Sequence, residues 1–452
     1  VFTLSRSSAE PFLTFSARRD LREKLWRGFA ARGALTEGRE NAPLIRDILK
    51  LRRERAQLLG EADFASFRLR DTMAGSPDAA EALLRACWEP AKRRIAVEKA
   101  ELEDFARAAG HNGPIEPWDW RHWAERARQA KHNFDGAALK PYFELEAMLR
   151  AMFDTARRLF GLVFEERADI PRYHADLRGF EALDAAGNHV GLLLLDNYAR
   201  PGKRSGAWMN SYRVADRLGE GTAPIIINNN NVARATPTLL SFDEARTLFH
   251  EFGHALHGML SDVTYPSQSG TNVKRDFVEF PSQLMEHWVT TPEILTRFAK
   301  HYATGEVIPR PLVDKIIAAK NFNQGWATSE FMMAAIMDMK MHMIEGSAPT
   351  NVDAWENEIL SGIGAIPEIV VRYRPGYFKH TFEGGYAAGY YSYIWAAVLE
   401  CDAFQAFVEA GNVYDPATSK KLQDFIFASG GQADPMDNYV AFRGRAPGVE
   451  AL

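Results

Sequence analysis

The chain has 452 residues, of which 46% are hydrophobic and 25% are charged, as is typical of a folded globular protein rather than a disordered one. Its 54 basic and 59 acidic side chains give a net charge of −5, so we expect no nucleic-acid partner. Its apolar runs are far shorter than the roughly 20 residues of a membrane-spanning helix, so we expect no membrane partner either. Cys87 and Cys401 lack the spacing of a thiolate metal or redox motif, which favours a reducing, cytoplasmic location.

The first third of the chain has a helical composition. Residues 17 to 158 are dominated by Arg, Glu, Ala and Leu, and helix breakers cluster only at 75–77 and 110–117. No residue pattern in this part indicates chemistry. We therefore expect a helical region over residues 1–160 that supplies architecture.

Short apolar or alternating runs then replace the helical pattern. The runs 190–195, 207–212 and 225–227 are bounded by turn residues, which predicts a small β-sheet near residues 180–230. Residues 184–188 have the composition of a hairpin turn, and 201–206 that of a loop between two strands. We interpret the four asparagines at 228–231 as a turn after a strand. From residue 241 the helical pattern returns, so the predicted fold class is mainly α.

A H-E-x-x-H motif lies in the helical segment that follows the predicted sheet. At 3.6 residues per turn, His250 and His254 share one helix face and can reach one metal ion. Glu251 is displaced by one position and suits a general base for the attacking water. The alternative is a pair of helical histidines bound to carboxylates. The motif favours a catalytic metal site.

Such a site normally takes a third protein ligand. Leu260 occupies the position at which a third histidine would follow in some zinc peptidases, and His257 lies too far along the helix axis, so we expect it to pack or to support the ligands. Glu279 and Glu286, one heptad apart, are the remaining choices. Their spacing alone prefers neither.

Three segments resemble the thimet oligopeptidase family of zinc metallopeptidases, and they are most like its bacterial dipeptidyl carboxypeptidase (peptidyl-dipeptidase) branch. They are 249–257, 275–283 and 384–395. The similarity extends over essentially the whole chain. It implies a large helical gluzincin-type peptidase body with a deep cleft, in which residues 1–160 form part of the cleft wall and 161–452 form the catalytic region. Family members are longer at the N-terminus, so the resemblance implies that an N-terminal helical portion is missing here.

The resemblance also implies a set of site residues. Glu279 becomes the third ligand of one zinc ion per chain, beside His250 and His254. One segment is unusually rich in tyrosine and glycine. In this segment the resemblance implies catalytic roles for His380, Tyr386 and Tyr393. It also implies a substrate-binding role for Tyr390. His380 and Tyr386 also contact substrate. Phenol and imidazole donors suit the negative oxygen of a tetrahedral intermediate, and the glycines favour a mobile loop facing a polar cleft.

Weaker signals are consistent with a peptide substrate. The strand at 207–209 would bind an extended peptide if it lay at a sheet edge. Arg200, Lys203 and Arg204 suit either a substrate carboxylate or a solvated loop, and six methionines between 332 and 343 favour core packing over a substrate surface.

The sequence therefore predicts a monomeric zinc peptidase that acts on short peptides and releases C-terminal dipeptides. An oligoendopeptidase of the same family is the first alternative. A zinc aminopeptidase is disfavoured because the segment 206–210 lacks the Glu of a Gly-x-Met-Glu-Asn motif. The third alternative is a non-catalytic peptide-binding scaffold with structural zinc. Glu251 argues against this alternative, because a closed structural site needs no base.

Overall fold

The computed structural model describes residues 2–4, 6–132, 138–204, 206–319 and 321–452. The described residues are mainly helical with one small sheet, which confirms the predicted fold class. Among them, no helix combines the length and the hydrophobicity that crossing a membrane requires. The α-helices, in chain order, are α1 (Arg6–Phe15), α2 (Arg19–Ala30), α3 (Ala42–Leu58), α4 (Phe64–Leu69), α5 (Pro77–Ala108), α6 (Trp120–His132), α7 (Leu145–Phe160), α8 (Phe242–Leu260), α9 (Phe280–Glu286), α10 (Pro292–Phe298), α11 (Arg310–Ala319), α12 (Gln324–His342), α13 (Val352–Gly362), α14 (Lys379–Phe382), α15 (Ser392–Glu409), α16 (Pro416–Leu422) and α17 (Pro435–Arg443).

The chain forms two compact units. The first unit comprises Val1–Phe134 and Ala318–Ser392, and the second comprises Asp135–Ile317 and Tyr393–Leu452. These two units are defined by their compactness, whereas the predicted division between residues 160 and 161 separates regions by their expected roles. That functional division stays a prediction.

The sheet lies in the second unit and has the strand order β1-β2-β3-β5-β4. The strands are β1 (Val163–Glu166), β2 (Arg178–Leu183), β3 (His189–Tyr198), β4 (Trp208–Arg213) and β5 (Ile225–Val232). β3 and β5 pair in parallel, with Leu194 opposite Ile227, and the other neighbours are antiparallel. The predicted strands and the hairpin turn at 184–188 are confirmed, while β1 was missed because four mostly exposed residues carry little periodicity. The predicted loop at 201–206 connects β3 to β4, and its residue 205 lies outside the described residues.

The interpretation of the four asparagines as a turn is wrong, because they lie inside β5 and three of them are buried. Two of the four amides find partners within the sheet region. Asn230 Nδ2 donates to Asn197 Oδ1 at 3.0 Å, and Asn231 Nδ2 donates to the carbonyls of Arg204 and Gly206 at 2.8 and 2.7 Å. A strand tolerates asparagine where such bonds satisfy the side chain.

Helix α8 packs against this sheet. A Cβ added to Gly258 would lie 2.7 Å from Ile226 Cδ1, so the helix and β5 are in close contact there. Nearer the start of the helix, Phe252 stacks edge-on with Phe153 of α7 and Phe164 of β1, at ring-centroid distances of 6.0 and 5.5 Å. The sheet and α7 thereby form the rigid support on which α8 presents its side chains.

Candidate functional site

Helix α8 has a well-defined start. Ser241 Oγ accepts a hydrogen bond from the backbone N–H of Glu244 at 3.2 Å, and Glu244 Oε2 accepts from the Ser241 N–H at 2.7 Å. This reciprocal capping box satisfies two amides that would otherwise lack partners at the helix end. It fixes the helical phase of His250, Glu251 and His254, which follow in the next turns.

Helix α9 approaches α8 at Gly253, between the two histidines. A Cβ added to Gly253 would lie 2.6 Å from the Pro281 carbonyl oxygen and 2.6 Å from Ser282 Cα. Only glycine permits this backbone contact. This role was not predicted from the sequence, although a glycine inside a helical pattern signals close packing. Because Glu279 directly precedes α9, the contact determines where its carboxylate lies.

The structure brings together the three predicted metal ligands. The ligand atoms of His250, His254 and Glu279 all lie within 4.8 Å of one another. Glu279 Oε2 is 3.4 Å from His250 Nε2 and 3.3 Å from His254 Nε2. Two imidazole nitrogens and one carboxylate oxygen are the donor set of catalytic zinc sites, so these residues fit such an ion.

Glu286 lies on the other side of the His250 ring. Its Oε1 is 2.7 Å from His250 Nδ1, and its other oxygen accepts from Arg246. A carboxylate at Nδ1 fixes the orientation of the ring and leaves Nε2 free to face a metal. The structure thus gives Glu279 and Glu286, which the sequence did not distinguish, different positions relative to His250.

Burial and charge set the protonation of these groups. Burial favours neutral His250, but the Glu279 and Glu286 carboxylates outweigh it and hold the pKa of His250 well above its ordinary value. Burial likewise opposes ionisation of Glu279, yet hydrogen bonds from both histidines hold its pKa well below its ordinary value. Glu279 is therefore an anion suited to a cation.

Glu251 has a different environment. It is 4% exposed, and its Oε2 has no hydrogen-bond partner among the described residues. Burial raises the pKa of this carboxyl above its ordinary value. An unpartnered buried oxygen with a raised pKa is what a proton acceptor needs.

His257 lies in the core of the second unit, as expected from its position on α8. It is fully buried, and its ring centroid is 6.2 Å from those of Phe277 and Phe427. Burial, helped by the charge of His254, lowers the pKa of His257 to about 3, so the ring is neutral.

The first unit carries His380 on α14, and Tyr386 and Tyr390 in the run of turns that follows this helix. The ring centroids of His380 and Tyr386 are 6.1 Å apart, and the Tyr386 N–H donates to the His380 carbonyl at 3.2 Å. Tyr390 is 3% exposed, and its ring packs against Phe378 at 5.0 Å and His380 at 5.3 Å. The structure thus places these three residues together, with Tyr390 the most enclosed.

Asp338 of α12 organises this run of turns. Its fully buried carboxylate accepts hydrogen bonds from four donors, which are Thr381 Oγ1 at 2.9 Å and the backbone N–H groups of Ala388, Gly389 and Tyr390 at 3.2, 2.9 and 3.0 Å. The bonds hold Ala388 at a φ of +51°, which non-glycine residues rarely adopt. This role of Asp338 was not predicted from the sequence, because one aspartate in a helix carries no motif.

Tyr393 lies in the second unit, in the first turn of α15. Its carbonyl accepts a hydrogen bond from Gln283 Nε2 of α9 at 3.4 Å. Gln283 follows Glu279 by one helical turn. This bond therefore links the start of α15 to α9, the helix that Glu279 directly precedes.

Two weaker expectations are settled by the structure. Arg200 and Lys203 both bind the buried carboxylate of Asp196, at 2.7 and 3.0 Å, so their charges are paired within the protein. Core packing of the methionines is confirmed for five of the six, which are fully buried on α12; these are Met332, Met333, Met337, Met339 and Met341.

Comparison with known proteins adds to this geometry. The family model described as "Peptidase family M3" matches residues 12–452 of this chain. The chain belongs to this family. The resemblance to zinc metallopeptidases is thereby confirmed, and the chain is a metallopeptidase, which implies a metal ion.

Relatives in this family include dipeptidyl carboxypeptidases and oligopeptidases A. Dipeptidyl carboxypeptidase of Salmonella typhimurium is 38% identical over 99% of this chain and 67% of its own length. Oligopeptidase A of Escherichia coli is 35% identical over 100% of this chain and 68% of its own length. The chain thus spans about two thirds of the length of each.

Solved structures show the same fold at low sequence identity. A family M32 carboxypeptidase from Deinococcus radiodurans aligns with a TM-score of 0.54 and 15% identity over 99% of this chain and 79% of that chain. The Pyrococcus furiosus carboxypeptidase aligns with a TM-score of 0.52 and 13% identity, with the same coverage. The likeness concerns the helical fold alone.

Proposed function

We propose that this metallopeptidase uses zinc to hydrolyse short peptides and releases dipeptides from their free C-termini. The observation that carries the proposal is the cluster of His250, His254 and Glu279 beside the unpartnered carboxylate oxygen of Glu251. Three ligands and a separate base form the minimum set for a hydrolytic metal site. A cytoplasmic monomer completes the proposal, and the low cysteine content supports that location.

The ligand atoms would be Nε2 of His250, Nε2 of His254 and a carboxylate oxygen of Glu279. Zinc held by such ligands supplies Lewis acidity for the scissile carbonyl and for water. Glu286 keeps the His250 ring in place through Nδ1, and Arg246 keeps Glu286 in place. These outer contacts orient the ligands before substrate arrives.

Glu251 takes one proton from the attacking water and passes it to the nitrogen of the leaving amine. Burial raises its pKa, so the carboxylate accepts a proton more readily than an exposed glutamate would. The same carboxyl, once protonated, is the acid that donates the proton to the leaving nitrogen. One side chain thereby performs both proton steps.

The oxyanion that develops on the former carbonyl needs hydrogen-bond donors. His380, Tyr386 and Tyr393 provide an imidazole N–H and two phenol O–H groups for it, with His380 and Tyr386 also holding substrate. Tyr390 supports substrate binding through its ring packing with His380. These roles follow from the family resemblance and from the chemistry of the side chains.

Strand β4 is suited to bind the substrate backbone. It lies at an edge of the sheet and is hydrogen-bonded to β5 on one side. A peptide that pairs with the other side gains main-chain hydrogen bonds that do not depend on its side chains. Edge pairing therefore explains how one cleft accepts many short sequences.

Internal cleavage is the second candidate function, and the relatives named oligopeptidase A support it. Release of dipeptides requires a group that binds the substrate carboxylate two residues beyond the scissile bond. An internal peptidase has no such requirement. The end of the peptide therefore distinguishes the two.

The experiment is mass spectrometry of the products from one peptide sequence in three forms: free, N-acetylated and C-amidated. We expect dipeptide release from the free and acetylated forms and a sharp reduction for the amidated form, since a neutral amide loses the charge-assisted contact. A chelator is expected to abolish all cleavage, and added zinc to restore it. Equal cleavage of all three forms at internal bonds would establish the second candidate.

A further inference from the structure

A second group of metal-ligating side chains lies at the end of α9 in the second unit. His287 directly follows that helix, and Glu400 and Cys401 are consecutive residues of α15. Their ligand atoms all lie within 4.8 Å of one another. We propose that these three residues bind a second divalent transition-metal ion of the zinc type.

The three side chains are already gathered around one point. His287 Nε2 hydrogen-bonds with Glu400 Oε2, and Cys401 Sγ donates to Glu400 Oε1 at 3.3 Å. Glu400 thus binds both neighbours, one through each oxygen. A metal ion in the centre replaces these bonds with three coordinate bonds and releases the thiol proton to solvent.

The His287 ring is held in a fixed orientation. It stacks on Phe404, one turn further along α15, with ring centroids 4.3 Å apart and an angle of 13° between the planes. The side chains of His287 and Glu400 are 18% and 12% exposed. The cluster is therefore ordered by packing, yet an ion can reach it from solvent.

The donor set selects the ion. Nitrogen, thiolate sulfur and carboxylate oxygen together suit zinc or cobalt, whereas magnesium and calcium prefer oxygen alone. The charges of a thiolate and a carboxylate balance those of a divalent cation. Three protein ligands leave one position for water, as at other open zinc sites.

The cysteine distinguishes this site from the one at His250. The first ligand set contains no sulfur, so a thiolate-to-cobalt charge-transfer band in the near ultraviolet reports only on a site with cysteine. Cys87, the other cysteine of the chain, is 8% exposed on α5 in the first unit, and burial raises its pKa. Cys87→Ser is therefore the matched control for Cys401→Ser.

The test is anaerobic titration of the chelator-stripped chain with Co²⁺. We expect two cobalt ions per chain and one charge-transfer band. The band should persist in Cys87→Ser and disappear in Cys401→Ser, whose stoichiometry should fall to one. Absence of the band from the unaltered chain, or its persistence in Cys401→Ser, would overturn the proposal.

A second measurement requires no variant. Zn²⁺ should slow the alkylation of Cys401 by iodoacetamide at least tenfold, as followed by peptide mass spectrometry, and leave the rate at Cys87 unchanged. Equal rates with and without zinc would show that the cluster is a hydrogen-bonded triad and binds no metal. Neither readout depends on peptide cleavage, so both are independent of the proposed function.

Discussion

The metal cluster and the tyrosine-rich segment are held in place by different means. His250 and His254 are one turn apart on a helix, and Glu279 is positioned by a backbone contact at Gly253. The segment 380–390 is instead tied by four hydrogen bonds to Asp338, which lies 43 to 52 positions earlier in the chain. Local periodicity and one contact between helices fix the first region, and one remote buried carboxylate fixes the second.

The largest effect is expected in the first region, from Glu251→Gln. The amide cannot accept the proton of water, so turnover should fall by about 10² to 10⁴-fold. The three ligands are untouched, so metal content should stay unchanged. Steady-state kinetics and elemental analysis on one preparation measure both.

The control for this variant is Glu220→Gln, on an exposed loop of the same unit, which should behave as the unaltered chain. Near-native turnover of Glu251→Gln would remove the assigned base. Loss of metal would instead give Glu251 a structural role.

Tyr393→Phe tests whether a proposed hydrogen-bond donor to the oxyanion acts in the transition state. Removing one donor to the oxyanion should lower kcat by about 10²-fold and leave KM nearly unchanged. Tyr302→Phe, an exposed tyrosine of the same unit, is the control. A change confined to KM would make Tyr393 a binding residue only.

Gly253→Ala tests the helix contact that positions Glu279. The added Cβ would lie 2.6 Å from the backbone of α9, so that helix must move and activity should fall by about 10 to 10²-fold. Gly258→Ala is the matched control on the same helix, because its Cβ meets the movable end of the Ile226 side chain. Weaker metal binding in Gly253→Ala than in Gly258→Ala, measured by competition with a chelator, is expected; equal binding would contradict the contact's role.

Asp338→Asn tests the tyrosine-rich segment, and it is the variant with the smallest expected effect. The amide nitrogen would face backbone N–H donors, leaving at least one unsatisfied at a cost of about 1 to 3 kcal/mol. We expect kcat to fall about tenfold with metal content unchanged, since the ligands belong to other helices. Asp71→Asn, at an exposed position, is the control. Unchanged kinetics would show that Asp338 stabilises the fold alone.

The sequence predicted the features that depend on near neighbours. The spacing of His250 and His254 encodes their shared helix face, and the apolar run at 190–195 encodes β3. The family, the fold class and the small sheet followed from such patterns. The roles of individual residues in the tyrosine-rich segment came from resemblance rather than from periodicity.

The features that the sequence did not predict depend on contacts between distant segments. Nothing in the spacing distinguished Glu279 from Glu286, because only the approach of α9 to α8 places one at Nε2 of His250 and the other at Nδ1. Asn228 to Asn231 have turn composition, yet pairing of β5 with β3 and β4 makes them part of a strand, in which Asn230 and Asn231 bond to Asn197 and Arg204. Local propensity yields where tertiary hydrogen bonds are available.

The most direct test of the metal centre compares the two glutamates, each in the Cys401→Ser background so that the second proposed site stays empty, by elemental analysis after dialysis against excess zinc. Glu279→Ala removes a proposed ligand and should leave the His250 site without metal. Glu286→Ala removes only the partner of Nδ1, so affinity should weaken by about 10 to 10²-fold and the site should still fill. The opposite pattern, with metal retained in Glu279→Ala and lost in Glu286→Ala, would contradict the account and make Glu286 the ligand.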